Sequence, residues 1–542
     1  MDLIDLRIVI AVFCLMGCAD ATRVTDQDAQ RPVPEVSVLA TGGSISGANG
    51  LHFSPTGELY VASVLGSEIV VLNPVTGAVI ERLRDGVDGP DDVAFAPDGA
   101  FYWTSILTGE VAGITSTGER VTAARLSPGV NPLTFSDTGR LFVAQCFFGD
   151  GLYEVDPAGL EPARLISDEL GPECGLNGMD WGPDGRLYGP RWFHQQVVSF
   201  DVDTAEMRIE ATGFKVPAAV KFNSKGELHV LDTGAEAVIR VAGLKQHVVA
   251  KLVPGLDNLA FDSSDRLFVS SFTDGSVIRV EDDGTLTELV TGGMAHPGGI
   301  TAYTRGGVTQ LVVADLHSIR GFDLHSGDST FTQRNILGMG ALGSALAVSA
   351  DGENLILTAW TDNNVRVWDP VAETTLERYD NLSLPVSAVR YADGIAVAEH
   401  AGGRVRLIGA ERSRVFVEGL NAPTALLTDG DRLWVSDRND GRVLLIARGG
   451  EPVEPVVVAD GIAYPEGLAL WGDEVLVLEG ETGNVLAVRD GDVRRLVTIG
   501  GGSPAASAAQ PPSMIFNDIV VVGDVLYATD ELKRQIVAVT LN

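Results

Sequence analysis

The side chains of this sequence that could do chemistry recur at one position of a repeat, two residues before an apolar residue. In the first half of the chain this position holds Asn49, Asp91, Asn131, Asn177, Ala218 and Asp257. Carboxylate and amide oxygens that converge from several elements are the hard ligands that Ca²⁺ accepts. The alternative interpretation is that Asn and Asp merely favour the turn that enters a strand.

The repeat itself predicts the fold. Its apolar positions are Leu51, Val93, Leu133, Met179, Val220, Leu259, Ile300, Leu346, Val389, Leu426, Leu468 and Ile519, spaced 37 to 51 residues apart and centred near 42. Within one copy, residues 49–83, four β-rich runs (GLHF, ELYVAS, EIVVL and AVIERL) are separated by turn residues. This period and this content are typical of a four-stranded propeller blade.

Twelve blades divide naturally into two rings. VLATGG at 38–43 is echoed by ELVTGG at 288–293, an offset of 250 residues or about six periods. We therefore predict an all-β protein with two tandem six-bladed β-propellers, a first ring at 36–285 and a second at 286–542, each closed by a strand from its own N-terminal edge. The alternative that residues near 36 close the last blade instead stays open.

In a propeller the innermost strands begin beside the central channel, so the repeated polar position should line the channel mouth. In the second ring this position holds Gly298, Ser344, Ser387, Thr424, Glu466 and Asn517. A single carboxylate makes a poor cation cage. We therefore expect the cation site in the first ring and a structural or interactive role for the second.

Short motifs add a resemblance to known families. NGMDWGPDGRLYG at 177–189 resembles the regucalcin/gluconolactonase (SMP-30-like) motif, and the segments at 48–63, 257–271 and 516–530 resemble the metal-binding segments of paraoxonase-type arylesterases. Both families are six-bladed propellers with Ca²⁺ in the channel, where it polarises a lactone or ester carbonyl. The resemblance implies Asn49, Asn177, Asp257 and Asn258 as ligands, with Asn517 a match in the other ring.

The sequence departs from these families in one respect. They use a Glu near the start of the ring, where this chain has Asn49 or Asp91, and its one mouth Glu is Glu466. The motifs are also shared with non-catalytic propellers of the NHL type. Together, the residues and the resemblance give Asn49, Asp91, Asn131, Asn177, Asp257 and Asn258 as the candidate Ca²⁺ ligands.

Hydrolysis would also need a base for water. Asp91 and Asp257 are the carboxylate candidates, and His194, in PRWFHQQ, should reach the same face as Asn177. The alternative for His194 is an ordinary loop residue. We find no G-x-S-x-G elbow, phosphate loop or H-E-x-x-H motif in a suitable context.

Three functions stay open at this stage. The first is a Ca²⁺-dependent lactonase or esterase-like hydrolase acting on a small molecule. The second is an NHL-like binding or scaffold lipoprotein that holds a partner at the cell envelope. The third is a lyase or synthase of the streptogramin-lyase or strictosidine-synthase type, because fold alone does not choose between activities.

Charge and the N-terminus indicate where the protein works. The formal net charge of −34 would repel phosphate backbones, which argues against nucleic acid as a partner. An apolar run before Leu15-Met16-Gly17-Cys18, which resembles the bacterial lipobox, predicts a lipoprotein-type signal peptide at 1–17, lipidation of Cys18 and a tether at 18–35. The protein would then be exported to the bacterial cell envelope, touching the membrane only through its lipid. Plain secretion to the extracellular space is the alternative.

Two further cysteines, Cys146 and Cys174, lie within the repeats. In an oxidising compartment they form a candidate disulfide, and the alternative is a pair of buried thiols. Both should lie on the mouth face of the first ring.

Overall fold

The computed structural model describes residues 34–171, 174–336, 342–360, 362–409, 413–500 and 516–541. These residues form 48 strands in twelve four-stranded antiparallel sheets, which confirms the all-β prediction and the twelve blades. The predicted signal peptide and Cys18 lie outside the described residues. No helix of the described residues is long and apolar enough to cross a membrane.

The first ring contains blades 1 to 6, each built from four consecutive strands numbered β2 to β25. Their bounds are: blade 1, Ala48–Phe53, Leu59–Ser63, Glu68–Leu72, Val79–Leu83; blade 2, Pro90–Phe95, Phe101–Ser105, Glu110–Ile114, Arg120–Arg125; blade 3, Val130–Phe135, Leu141–Gln145, Leu152–Val155, Arg164–Ser167; blade 4, Asp180–Trp181, Leu187–Arg191, Gln196–Phe200, Met207–Thr212; blade 5, Pro217–Phe222, Leu228–Asp232, Ala237–Ala242, Lys245–Lys251; blade 6, Leu256–Phe261, Leu267–Ser271, Val277–Val280, Leu286–Val290. Two short 3₁₀ turns, Trp192–His194 and Thr233–Ala235, join strands in blades 4 and 5.

The second ring contains blades 7 to 12, from strands β26 to β48 and one strand from the start of the chain, β1 (Val36–Thr41). The bounds are: blade 7, Ile300–Arg305, Val308–Asp315, Ser318–Asp323, Ser329–Arg334; blade 8, Ala345–Asp351, Asn354–Ala359, Asn364–Asp369, Thr374–Tyr379; blade 9, Pro385–Tyr391, Gly394–Glu399, Arg404–Ile408, Ser413–Glu418; blade 10, Pro423–Thr428, Arg432–Asp437, Arg442–Arg448, Glu451–Ala459; blade 11, Pro465–Trp471, Glu474–Glu479, Asn484–Arg489, Asp492–Thr498; blade 12, Ile519–Val522, Val525–Asp530, Gln535–Thr540, closed by β1.

Contacts between inner strands show how each ring closes. In the first ring the inner strand of blade 1 (Ala48–Phe53) packs against the inner strands of blade 2 (Pro90–Phe95) and of the distant blade 6 (Leu256–Phe261). In the second ring the inner strand of blade 7 (Ile300–Arg305) packs against the inner strands of blade 8 (Ala345–Asp351) and of blade 12 (Ile519–Val522). Blade 1 therefore meets blade 6, and blade 7 meets blade 12, as expected for two six-bladed propellers.

The closing strand of the second ring differs from the expected arrangement. We expected each ring to be closed by its own N-terminal strand. Instead, β1 pairs antiparallel with the last strand of the chain, β48 (Gln535–Thr540), with Val36 opposite Val539 and Thr41 opposite Gln535. Leu286–Val290 is correspondingly the outer strand of blade 6. The strand pairing thus departs from the predicted boundaries 36–285 and 286–542 at both ends of the first ring, and follows the discontinuous alternative. The reason is that blades 1 to 6 each carry their own fourth strand, so only blade 12 needs one.

The core lies between neighbouring blades, where the alternating apolar residues of facing sheets interdigitate. One such layer joins Leu51, Val61 and Val70 of blade 1 to Ala260 and Phe268 of blade 6. The two rings are joined by their connecting segments. Gly43 N donates to Met294 O at 3.2 Å and Ser46 Oγ donates to Ala295 O at 2.7 Å.

Candidate functional site

A backbone irregularity positions the mouth residues. In blades 1, 2, 3 and 6 the pairing of the inner strand shifts across the two residues before the aligned apolar position, for example between Pro90 and Val93 and between Leu256 and Leu259. Such a bulge leaves residues out of the ladder and re-aims their side chains. Both residues of each mouth pair, such as Asp91 and Asp92, are thereby buried at the start of the strand.

The first-ring mouth brings together two of the predicted carboxylates and an amide. Asn49 Nδ2 donates to Asp91 Oδ2 at 3.4 Å, while the buried Asn49 Oδ1 has no hydrogen-bond partner. Burial, with the nearby charges of Asp257 and Asp92, raises the pKa of Asp91 well above its usual range. Burial and the charge of Asp92 raise the pKa of Asp257 to about 7. The charges of Asp91, Asp92 and Asp257 therefore influence one another at this mouth.

The remaining predicted ligands differ in their surroundings. Asn131 and Asn177 are buried, and Asn177 Oδ1 accepts from Gly178 N at 3.0 Å. Asn258 is turned toward Asp92, with its Oδ1 accepting from Leu259 N at 2.8 Å and its Nδ2 3.5 Å from Asp92 Oδ1. The described residues contain no group of three or more His, Cys, Asp or Glu side chains placed to hold a metal. A cation at this mouth would thus rest on two carboxylates and on amide oxygens.

A second set of charged side chains, which our sequence reasoning missed, accompanies the mouth. Lys221 Nζ donates to Met179 O at 2.8 Å. Burial raises the pKa of Asp92 to about 6 and that of Asp180 above its usual range, while the charge of Lys221 opposes both shifts. Burial, with the same lysine, lowers the pKa of His52 to about 4, so this imidazole is neutral at pH 7. The available signal was position, because Asp180, Lys221 and His52 each directly follow an aligned apolar residue.

His194 lies in the short 3₁₀ turn that follows the second strand of blade 4. It is exposed, its Nε2 lies 2.9 Å from Arg191 Nη2, and its ring lies against Gly171. Partial burial and the Arg191 charge lower the pKa of His194. These contacts hold the imidazole beside Arg191 and Gly171.

Cys146 and Cys174 are joined by a disulfide, and they also form an isolated antiparallel bridge. Cys146 follows the second strand of blade 3, and Cys174 precedes the inner strand of blade 4. The bond therefore joins neighbouring blades that carry Asn131 and Asn177.

Breaking this bond should destabilise the first ring. The cysteines are 28 residues apart, and closing a loop of that size lowers unfolded-state entropy by the equivalent of about 3 to 4 kcal/mol. We expect Cys146→Ser/Cys174→Ser to lower the midpoint of denaturant unfolding of the first ring with no change in the second. The parent protein under reducing conditions should match the variant. If neither the variant nor the reduced parent shows a lower unfolding midpoint for the first ring, the prediction is wrong.

The second ring contains an open cavity at its axis, which the sequence did not indicate. The space between its lining residues, counted out into the open solvent, is about 280 Å³. All six blades line it, through Gly299, Leu346, Ala347, Val386, Ser387, Thr424, Ala425, Glu466, Phe516, Asn517 and Asp518. Four of the six mouth positions of this ring are Gly298, Ser344, Ser387 and Thr424, which are smaller than the Asn and Asp at most mouth positions of the first ring.

The charged wall of this cavity comes from blades 11 and 12. Glu466 accepts from Arg438 Nε at 3.2 Å and from Asn517 N at 3.1 Å. Burial raises the pKa of Glu466 to about 7 against the opposing charge of Arg438, and burial likewise raises the pKa of Asp518 to about 7. The Arg438 guanidinium lies over the rings of Tyr464 and Phe516, 4.5 and 5.5 Å from their centroids.

Comparison with known proteins gives similarity of fold. No family model matches the chain, and no curated protein matches it. Among solved structures, a streptogramin B lyase is similar with 13% identity and a TM-score of 0.38, over 52% of this chain and 95% of that one. A gluconolactonase from Xanthomonas campestris is similar with 16% identity and a TM-score of 0.37, over 47% of this chain and 91% of that one.

A third similar structure covers both rings. It is an extracellular domain from B. thetaiotaomicron, with 10% identity and a TM-score of 0.32 over 94% of this chain and 82% of that one. At these identities the likenesses concern the fold alone.

Proposed function

We propose that this protein is an exported double propeller that binds Ca²⁺ at the first-ring mouth and hydrolyses a small lactone or ester there. The observation that carries the proposal is the buried Asn49 Oδ1, which has no partner and belongs to the side chain that contacts Asp91. A buried acceptor without a partner costs about 1 to 3 kcal/mol. A bound cation would satisfy it.

The carboxylates support the same site. The charges of Asp257 and Asp92 oppose the ionisation of Asp91, and the charge of Asp92 opposes that of Asp257. A cation between Asp91 and Asp257 would reverse that effect. The donor set of two carboxylates with the amide oxygens of Asn49, Asn131 and Asn177 suits a hard, oxygen-seeking ion such as Ca²⁺. The residues present therefore fit the ion that the family resemblance implies.

The chemistry would divide between the ion and the chain. When bound, Ca²⁺ supplies a Lewis acid for a carbonyl oxygen. Asp91 and Asp257 are the carboxylates at this mouth that could take a proton from water. The neighbouring Asn side chains orient the substrate by hydrogen bonds, and the Lys221 charge limits the net negative charge of the channel.

Export is part of this proposal. The Cys146–Cys174 disulfide suits an oxidising compartment, and the apolar run before Cys18 suits a signal peptide with a lipid anchor. The substrate would be a small molecule, and the surface charge disfavours nucleic acid.

Calcium affinity should depend on pH. Because the raised pKa of Asp257 keeps its carboxyl largely protonated below about pH 7, Ca²⁺ must displace protons at pH 6 and few at pH 8.5. We expect calorimetric titration in buffers of different ionisation enthalpy to report proton release at pH 6, and at least tenfold tighter binding at pH 8.5. Asp518→Asn is the matched control, because Asp518 is also buried with a pKa near 7 but belongs to the second ring. No saturable binding at either pH would overturn the metal site.

Hydrolysis is tested separately with aryl esters and γ- and δ-lactones, followed by acid release at pH 8 in Ca²⁺ and in excess chelator. Turnover that requires Ca²⁺ and disappears in Asp257→Asn supports the hydrolase. Calcium binding without any turnover would instead favour the non-catalytic interpretation, in which the ion is structural.

A further inference from the structure

The loops that join the second strand to the third strand of each blade surround the mouth of the first ring. The second strand runs antiparallel to the inner strand and ends beside its first residues, with Gln145 opposite Val130 in blade 3 and Ser271 opposite Leu256 in blade 6. Neighbouring strands of a sheet are about 5 Å apart. These loops therefore lie on the mouth face, about one strand spacing outside the polar mouth residues.

Five of these six loops carry a large apolar side chain that reaches solvent, and blade 5, with Thr233-Gly234-Ala235, is the exception. The six largest of these side chains, which we call the apolar collar, are Leu65, Leu107, Phe147, Phe148, Phe193 and Phe272. The corresponding loops of the second ring begin with Leu316, Trp360, His400, Arg438, Gly480 and Glu531. Half of those residues are His, Arg or Glu, so the collar distinguishes the first ring from the second.

Three phenyl rings of the collar form an exposed patch on blades 3 and 4. Phe147 is 36% exposed, Phe148 63% and Phe193 42%. The ring centroid of Phe147 lies 6.2 Å from that of the buried Trp192, which lies 6.5 Å from that of Phe193. Exposed apolar side chains that adjoin one another, unlike single ones, mark a binding surface.

This patch is continuous with the candidate calcium mouth. Phe148 lies against Gly129, two residues before Asn131, since a Cβ on that glycine would be 3.1 Å from the Phe148 Cβ. Asn177 N donates to Pro190 O at 3.2 Å, in the strand that leads into the blade 4 loop. The exposed rings thus adjoin the segments that bring two candidate ligands to the mouth. A few convergent polar groups within apolar surroundings are the usual composition of a small-molecule site.

We propose that the apolar collar binds the hydrocarbon part of the substrate, which is therefore an ester or lactone with an acyl chain of several carbons and not a sugar lactone. This inference rests on the hydrolase proposed above. The polar mouth would hold the carbonyl group, and the chain would lie across the patch of Phe147, Phe148 and Phe193. Each methylene that the collar removes from water should favour binding by up to about fourfold.

The first test compares p-nitrophenyl acetate with p-nitrophenyl octanoate, which share a leaving group and differ by six methylenes. The kcat/KM of each is measured on the full mature chain at pH 8 with Ca²⁺ and is divided by the uncatalysed rate. We expect the octanoate to be preferred at least thirtyfold. The variant Phe148→Ser/Phe193→Ser should reduce this preference at least tenfold, with the turnover of the acetate unchanged.

The matched control is Leu160→Ser/Leu244→Ser. Both leucines are exposed, but they lie between the third and fourth strands of blades 3 and 5, on the face opposite the mouth. Their loss should leave the preference for the octanoate intact. Thermal melts identify a variant that fails to fold, and Phe148→Ser and Phe193→Ser are then measured singly.

The second test measures binding without turnover, with acetamide and octanamide as probes. Saturation-transfer NMR and calorimetry should show that octanamide binds at least tenfold more tightly than acetamide, and that Phe148→Ser/Phe193→Ser removes this difference. If octanamide binds in this way but neither ester is hydrolysed, the hydrolase is wrong and the binding role of the collar stands. If both esters are hydrolysed equally well and octanamide binds no better than acetamide, the collar proposal is wrong and the hydrolase stands.

Two further outcomes would also overturn the proposal. One is a preference for the octanoate that persists in Phe148→Ser/Phe193→Ser, because the chain would then bind elsewhere. The other is binding of the parent protein, but not of this variant, to phosphatidylcholine vesicles without any binding of octanamide. The collar would then be a surface that faces lipid and would not be part of a small-molecule site.

Discussion

Asp257→Asn is expected to abolish the thermal stabilisation of the first ring by Ca²⁺ and, in chelator at pH 8, to make that ring more stable than the parent. The first effect follows from the loss of one of two carboxylate ligands, which should weaken Ca²⁺ binding at least a hundredfold. The second follows from the raised pKa of Asp257, because ionising a buried carboxyl opposes folding.

The sign of the second effect can be worked out from linkage. The folded-state pKa of Asp257 is about 7 and its ordinary value is 3.8, so the unfolded chain loses this proton first. Stability of the metal-free parent therefore falls as pH rises from about 4 to 7 and stays low above it, by a few kcal/mol in order of magnitude. An Asn at this position removes that loss.

Differential scanning calorimetry at pH 5 and pH 8, with Ca²⁺ or with chelator, measures both effects. The parent in chelator should melt several degrees lower at pH 8 than at pH 5, and this difference should shrink in Asp257→Asn. Asp518→Asn is again the matched control, because it should change the pH dependence of the second ring and leave the Ca²⁺ response intact. A variant that still gains stability from Ca²⁺ as the parent does would show that Asp257 is not a ligand.

Replacing residues 36–41 by an alternating Gly-Ser segment is expected to unfold or aggregate the second ring while the first ring stays folded. The six residues of β1 supply the outer strand of blade 12, and Leu39 and Ala40 pack against a cluster that contains Met294 and Ile536. Without them, β48 becomes an unpaired edge with Val537 and Val539 exposed to pairing with another chain.

Two transitions in calorimetry, or limited proteolysis followed by mass analysis, separate the rings. We expect the second-ring transition to fall by at least 10 °C, in keeping with a loss of several kcal/mol, and the Ca²⁺-dependent transition to be unchanged. Val38→Ser serves as the control, because the Val38 side chain is 54% exposed and its loss removes little packing. If the Gly-Ser protein melts at the same temperature as the parent, β1 contributes no measurable stability to the second ring.

The blades could be predicted because their signal is local and repeated. Each inner strand carries an apolar residue about 42 positions after that of the previous inner strand. Because the pattern recurs in twelve copies, it can be recognised even where a single copy deviates from it. The closing of the rings is a different matter. Both Val36–Thr41 and Leu286–Val290 are outer strands that end just before a new ring begins. The similarity between VLATGG and ELVTGG therefore reflects a shared structural position, but it did not reveal which blade each strand joins. That depends on pairing across some 500 residues.

The residue types at the first-ring mouth could be predicted from the sequence, but the charged residues next to them could not. Asn49, Asp91 and Asp257 lie at the mouth because the repeat places them there. Lys221 and Asp92 were missed because their roles arise only when neighbouring blades meet around the axis. The cavity of the second ring was missed for a related reason: a space left by small side chains has no sequence motif, and Arg438 reaches Glu466 from another blade.

The pairing of β1 with β48 also constrains the order in which the rings can form. Every strand of blades 1 to 6 lies in one continuous stretch, so the first ring can close as soon as the chain is available up to Val290. The second ring cannot close before β48 is present. Until then β1 has no paired strand, although the first ring can already be complete. The pairing of β1 with β48 therefore needs the longest stretch of chain, and it can form only when the strands of the first ring are already present.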